Sequence, residues 1–220
     1  MRVLLLVLAL LALAMPASAE TLTWPPFDDA GQDPSFKAYR DRLLTAVEQR
    51  NVDAVLAASS PQIDVTFGGE PGREAFREML TGHDNEFVWQ TLERVLKEGG
   101  GFRDGLFQAP WTYLYVPPQN LDVYSVAIVA GKNVRLRKGP STEAAVIRPL
   151  SYEVILLADY DPNRQDTVQD ASGREWKLVK TLDGEEGWIA SSYLRLLTDH
   201  RAGFEKTGDG WQMIFFVAGD

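Results

Sequence analysis

The sequence contains no cysteine and only two histidines, His83 and His200. The first absence excludes disulfides, cysteine nucleophiles, thiolate zinc sites and lipid attachment through an N-terminal cysteine. The second leaves little for histidine metal centres or histidine-based triads. Basic charge is also short: 22 Lys and Arg stand against 31 Asp and Glu, a net −9. Nonspecific nucleic-acid binding runs on phosphate neutralisation by Lys and Arg, so this balance argues against it. The remainder has an ordinary globular composition. It is 45% hydrophobic and 24% charged, which excludes disorder throughout. A chain of 220 residues has room for one or two domains with real cores.

Long apolar runs are confined to the start. Arg2 precedes the run Val3 to Met15, Pro16 breaks it, and Ala17-Ser18-Ala19 is a small-x-small cleavage site. This is the pattern of a secretory signal peptide, residues 1–19, cleaved after Ala19. A permanent span needs about 20 apolar residues, so a stable membrane insertion after cleavage is not expected. The expected location is the periplasm or the exterior. A chain exported without cysteine must be held together by packing alone.

Residues 20–34, with Pro25-Pro26 and several acids, read as an extended leader. Trp24 and Phe27 either dock it on the body or it is a mobile tail. Phe36, Tyr39, Leu43 and Val47 recur at spacings of three and four and predict a helix over 36–50, with Ser35 as its cap. A second short helix is expected at 52–58. Ile63, Val65 and Phe67 alternate with polar residues, which predicts a half-buried strand. Helices follow at 72–80 and 86–98, the latter stopped by Gly99-Gly100-Gly101. The stretch 109–118 reads as extended and ends in Pro117-Pro118, the best linker signal in the chain. Residues 121–197 lose the helical period and become short strands between Gly, Pro and Asp turns, the spacing of a small barrel. Trp211 to Val217 follows Gly208-Asp209-Gly210, a hairpin signal. An isolated hairpin is marginal, and its candidate sheet partners are 63–67 and 111–116.

In order along the chain come Asn133-Val134-Arg135, Gly139-Pro140-Ser141, Trp176-Lys177-Leu178-Val179, Gly187-Trp188-Ile189 and Ser191-Ser192-Tyr193-Leu194. This series resembles the bacterial SH3-type (SH3b) domain over about a third of the chain remaining after cleavage. One departure is the long acidic insert 159–173 between two barrel strands. The flanks resemble, more weakly, the cone-shaped α+β fold of nuclear transport factor two and its relatives. That resemblance rests on element order, on Gly72-Arg73-Glu74-Ala75-Phe76 and on a late G-x-W strand. Together they imply an α+β domain over 35–116, completed by a hairpin at 198–220, with an all-β SH3-type barrel at 121–197 between them.

The site candidates follow. Trp176, Trp188 and Tyr193 are barrel aromatics that serve either packing or an aromatic groove for an extended ligand. Arg135 and Arg137 share one face of a strand and either pair with an anionic ligand or form a solvated face. Asp159, Asp161 and Asn163 stand at positions 1, 3 and 5 of a calcium-loop pattern, with Thr167 and Asp170 at 9 and 12. Arg164 stands where that loop needs glycine, and position 12 lacks the longer Glu. In the first domain a cone pocket would draw on Asp64, Thr66 and Arg73, walled by Tyr39, Phe67, Trp89 and Trp111. A glycosidase needs only two carboxylates, but nothing marks Glu48, Glu86 or Glu93 as more than helix-surface charge. The expectation is therefore a noncatalytic exported binding module without a cofactor, recognising cell-wall peptide or an envelope protein. The alternative is a small-ligand-binding or hydrolytic α+β domain that the barrel targets.

Overall fold

A computed structural model describes residues 21–66, 68–158, 161 and 163–219. The expected signal peptide, Phe67 and Asp159 lie outside the described residues. In chain order the first elements are α1 (Pro34–Glu48), α2 (Val52–Ala57), β1 (Ser59–Asp64), α3 (Arg73–Thr81), α4 (Asn85–Lys97), β2 (Gly101–Arg103) and β3 (Leu106–Ala109). A run of strands follows: β4 (Val126–Val129), β5 (Val134–Arg137), β6 (Val146–Leu150), β7 (Val154–Leu157), β8 (Thr167–Gln169), β9 (Glu175–Thr181), β10 (Glu186–Ala190) and β11 (Leu194–Leu196). The final hairpin is β12 (Arg201–Thr207) and β13 (Gly210–Val217). The chain is thus an α+β protein, and its sheets are antiparallel apart from one parallel pair. Among the described residues no helix is long and apolar enough to cross a membrane.

Helix α1 starts earlier than its apolar period suggests. Asp33 caps it, accepting from the amides of Ser35 and Phe36, and Pro34 occupies the first turn, where its missing N–H costs nothing. Ser35, the expected cap, lies inside the helix and donates its hydroxyl to Asp33 at 2.5 Å. Phe36, Tyr39, Leu43 and Val47 are all buried, as their spacing requires. Asn51 caps α2 by accepting from the Ala54 amide at 3.0 Å.

The first sheet runs β1-β13-β12-β3-β2. Strand β13 pairs with β1 in parallel and with β12 antiparallel, while β12 lies against β3. The stretch 111–116 is not the hairpin's partner. Trp111–Leu114 is a 3-10 turn that opens at Pro110, and the neighbouring strand is β3, just before it. Helices cover one side of this sheet. The Phe36 ring lies 4.1 Å from that of Phe107 and 5.4 Å from that of Phe204, centroid to centroid.

The second sheet has eight strands, ordered β11-β4-β7-β9-β10-β5-β6, with β8 added on β9. Ala127, Leu136, Leu150, Ile155, Val179, Ile189 and Leu194 come from seven of its strands and form one cluster, so the sheet coils around a single core. The sheet does not close into the expected barrel among the described residues. The hydrogen-bonded path stops at β11 and β6, with no ladder between them among the described residues. Strand β6 is built as an edge. It carries Pro149, which has no N–H to donate, and leaves Val146 exposed.

The leader docks across both sheets. Its Thr23 bridges Glu153, and its Asp28 bridges Gly100. Trp24 and Phe27 pack with Trp111, Tyr115, Val126, Ile128, Val154 and Leu197 in a cluster drawn from both halves of the molecule. An ion pair between Glu98, at the end of α4, and Arg195 of β11 adds a polar tie at 2.5 Å.

Candidate functional site

The coiled sheet carries a groove of about 360 Å³, within the usual range for ligand pockets. Its lining includes Arg135, Arg137, Trp176 and Tyr193, four residues that the sequence singles out, together with Lys132 and Arg174. Trp188, also singled out, does not line it.

Local geometry explains why these side chains converge. Strand β10 pairs with β5 so that Trp188 faces Arg137, and with β9 so that Ala190 faces Trp176. The inward positions Val134, Leu136 and Ile189 fill the core. Alternation then sends Arg135 outward beside Ala190. Tyr193 stands in the 3-10 turn Ser191–Tyr193, where nearly half of it is exposed. Gly131 backs the ring, and a Cβ there would lie 3.7 Å from Tyr193 Cδ1.

The cations of the groove are of two kinds. Arg137 is 7% exposed and donates to the Ala144 carbonyl at 2.7 Å, which holds it in place. Lys132, Arg135 and Arg174 are exposed, and none makes a side-chain ion pair or hydrogen bond among the described residues. No carboxylate lines the groove. In a chain of net −9, four cations without a facing acid form a concentrated positive site. Such a site suits carboxylates, which take charge-assisted hydrogen bonds from guanidinium groups.

Trp176 is 3% exposed, so it forms the floor of the groove more than an open stacking face. Its indole donates to Asp170 Oδ2 at 2.8 Å. Asp170 Oδ1 also accepts from the Ser172 amide and hydroxyl at 2.9 and 2.6 Å and from the Arg174 amide at 3.1 Å. These donors hold its carboxyl well below the usual carboxylate range, the Ser172 hydroxyl first and the Trp176 indole next. Gly173 completes the turn at a φ of 79°. The acidic insert is therefore a hairpin, β8 to β9, whose turn positions Arg174 and Trp176 at the groove.

Of the calcium-loop candidates, Asp159 lies outside the described residues and the others sit in local turns and a strand. Asp170 is committed to its own turn. Asp161 accepts from the Asn163 amide at 2.9 Å within a separate turn. Thr167 lies in β8. Among the described residues no group of three or more metal-ligating side chains is assembled.

The first domain has a shallow cleft of about 340 Å³ lined by Asp64, Thr66, Tyr113, Arg201, Phe215 and Val217. Asp64 and Thr66 meet there, but their expected companions do not. Tyr39 and Trp89 are core residues, and Trp111 packs against the second sheet. Arg73 is tied to the Ser59 carbonyl. Arg201 stacks over Tyr113 at 5.0 Å and donates to the Gly219 carbonyl at 2.5 Å. Glu48 and Glu93 pair with Lys97 on the surface, and Glu86 pairs with Arg50.

Two contributors to the basic groove escape the sequence reading, Lys132 and Arg174. Each neighbours a motif residue, and only the turn geometry brings them together.

The chain matches no protein-family model and no curated protein. Among solved structures it overlaps an NTF2-like protein of unknown function from Pseudomonas putida KT2440. Identity there is 11%, over 88% of this chain and 89% of the other, with a TM-score of 0.27. It also overlaps a candidate aromatic ring hydroxylase from Novosphingobium aromaticivorans. That match has 12% identity, 84% and 85% coverage and a TM-score of 0.24. The first carries the name of the family that the flanking segments resemble, but overlaps of this size do not define a shared fold.

Proposed function

We propose that the chain is an exported, noncatalytic recognition protein that binds the carboxylate-bearing peptide of the cell wall in the groove between Arg135, Arg174 and Tyr193. The observation that carries this reading is the set of unpaired cations around an aromatic floor, with no acid on the lining. Extended peptides present backbone and carboxylates together, and a shallow aromatic and basic groove addresses both. The motif order resembling the SH3-type domain supports the reading. So do the positions of those motifs, with Asn133 to Arg137 leading into and forming β5 and Ser191 to Leu194 forming the turn beside the groove. Export follows from the N-terminal pattern and is part of the proposal. An envelope protein with an acidic segment would use the same chemistry.

The test is a calorimetric titration of the protein with purified cell-wall stem peptides, in free-acid and amidated forms. The free acids should bind and the amidated peptides should bind at least about tenfold more weakly, the worth of one or two charge-assisted bonds. A double variant, Arg135→Ala with Arg174→Ala, should lose the preference. Equal binding of both forms, or no binding to stem peptide or whole peptidoglycan, sinks the proposal.

The first-domain cleft supports the small-ligand alternative less well. It brings one carboxylate, Asp64, to its lining, where hydrolysis by paired carboxylates needs two.

A further inference from the structure

A second cavity, of about 500 Å³, lies where α4 faces the second sheet. Phe87, Gln90, Thr91 and Arg94 form its helical wall. Glu175 and Lys177 of β9, with Ser191, Ser192, Arg195 and Asp199, form the opposite wall. It is separate from the basic groove. Successive residues at the start of β9 serve the two sites, Trp176 facing the groove beside Arg174 of the preceding turn, and Glu175 and Lys177 facing this cavity.

We propose that this cleft binds a small molecule in which an oxyanion, carboxylate or phosphate, is joined to a flat apolar body. Arg94 and Lys177 hold the anion, and Phe87 receives the body.

Arg94 is the centre of the argument. Its side chain is 30% exposed, and its nearest carboxylate, Asp199 Oδ2, stands 4.0 Å away, beyond hydrogen-bond reach. That oxygen already accepts from the Leu196 amide at 3.0 Å. Arg94 makes no side-chain hydrogen bond among the described residues. A largely buried guanidinium, whose one ion pair among the described residues is the 4.0 Å contact with Asp199, keeps donors open to an incoming anion. Burial, and after it the neighbouring Arg195, pushes the Arg94 pKa down, against the pull of Glu98 and Asp199.

The adjacent cation does not compete for the role. Arg195 is already engaged: its Nε donates to Glu98 Oε1 at 2.6 Å, and its Nη1 donates to the carbonyls of Ser192 and Leu194 at 3.0 and 2.7 Å. Lys177, across the cleft, has no ion-pair partner among the described residues. Two open cationic groups therefore face one space from opposite walls. The Ser191 Oγ beside them is buried and has no hydrogen-bond partner.

Phe87 supplies the apolar half. It is 58% exposed, although Trp89 and Leu92 on the same helix are buried. His200 holds the ring from one side, edge-on at 5.7 Å, and the ring lines the cavity. An exposed aromatic beside under-bonded cations suits an aryl anion better than a bare ion.

Phenyl phosphate, benzoate and inorganic phosphate are the probes, titrated into the full chain with amide NMR shifts as readout. Phenyl phosphate or benzoate should saturate below about 10 mM, a modest affinity for a single anion clamp. Which of the two binds more tightly distinguishes a phosphate from a carboxylate ligand. Inorganic phosphate should bind several-fold more weakly. The shifts should centre on Thr91, Lys177 and Ser191. Arg94→Gln should weaken the aryl anions at least about tenfold. Phe87→Ala should bring phenyl phosphate down to the level of inorganic phosphate and leave inorganic phosphate unchanged. The groove variant Arg135→Ala with Arg174→Ala should bind the probes as the native chain does, so this proposal and the groove reading fail separately. No saturable binding overturns the proposal, and so do shifts centred on the groove. If Arg94→Gln does not fold, the shift map of the native chain decides alone.

Discussion

Trp24 and Trp111 hydrogen-bond each other's backbone. The Trp24 indole donates to the Trp111 carbonyl at 3.2 Å, and the Trp111 indole donates to the Trp24 carbonyl at 3.1 Å. The two residues are 87 positions apart, so the exchange ties the leader to the 3-10 turn after β3. The same leader continues into the second sheet through the Trp24 amide, which donates to the Tyr152 carbonyl at 2.8 Å. Trp24→Ala removes a large part-buried ring and the indole bond to the Trp111 carbonyl, while the backbone carbonyl at 24 still accepts from the Trp111 indole. It should cost about 2–3 kcal/mol, below the range for a fully buried tryptophan because Trp24 keeps some exposure. Urea unfolding measures it through the shift in midpoint. A loss under about 0.5 kcal/mol would show that the leader contributes nothing beyond occupancy of a surface.

Asp170 organises the turn that sets Trp176 and Arg174 at the groove. Its folded pKa is depressed, chiefly by the Ser172 hydroxyl and then by the Trp176 indole. A carboxyl with a lowered folded pKa stabilises the fold fully above its unfolded value, about 4, and that contribution is lost as the pH falls through the folded value. Asp170→Asn should therefore flatten the acid limb of stability below about pH 4. It should also weaken ligand binding at the groove, because the amide Nδ2 that replaces Oδ2 cannot accept from the Trp176 indole at the groove floor. Parallel acid limbs in the two proteins would remove this role.

The parts of the fold that were legible from sequence are those set by local period. Phe36, Tyr39, Leu43 and Val47 mark one buried helical face whatever the helix packs against. The parts that were not legible depend on distant partners. The stretch 109–118 reads as extended because its aromatics favour strands, yet Trp111–Leu114 folds as a 3-10 turn after Pro110, and the Trp111 and Tyr115 rings pack against the second sheet and the leader. Closure of the barrel was equally invisible. The SH3-type motifs mark strands and turns, but only the ladder shows that Pro149 ends the path at β6.

The site divides along the same line. Alternation places Arg135 and Arg137 on one face, and both reach the groove. Trp188 shares that face and still falls outside the lining, because reach across a coiled sheet depends on curvature as well as on parity. Lys132 and Arg174 arrive on turns, where no period signals direction. The spacing of Asp161 and Asp170 reads as a metal pattern, and it does not reveal that each carboxylate accepts from an amide of its own turn.

His200 lies over the Phe216 ring at 5.1 Å, and its pKa is lowered by burial first and then by the charge of Arg94. The unfolded chain therefore takes up a proton at higher pH than the folded one. Its contribution is whole above the unfolded value, about 6.5, and is lost as the pH falls through the lower folded value. Stability should dip as the pH falls below about 6.5, and His200→Gln should remove that part of the dip. Thermal melts at closely spaced pH values between about 5 and 7 make the comparison. A native chain with level stability across that interval would contradict the assignment.

Glu98 and Arg195 make the best-shielded ion pair between the two halves, with side chains 15% and 13% exposed. Arg195 also serves two carbonyls, and Glu98 is its one ion-pair partner among the described residues, so Glu98→Ala leaves the guanidinium without a paired counter-charge. Breaking one side of a buried pair costs about 3–5 kcal/mol, and partial exposure here reduces that to about 2–3 kcal/mol. Arg195→Ala should cost a similar amount, since it strands the carboxylate and two carbonyls together. The double variant should lose less than the sum of the single changes, because removing both members also removes the stranded charge. A double-mutant cycle by denaturant unfolding gives the coupling directly. Strict additivity would mean that solvent already screens the pair and that the packing and backbone bonds of the leader carry the join between the two sheets.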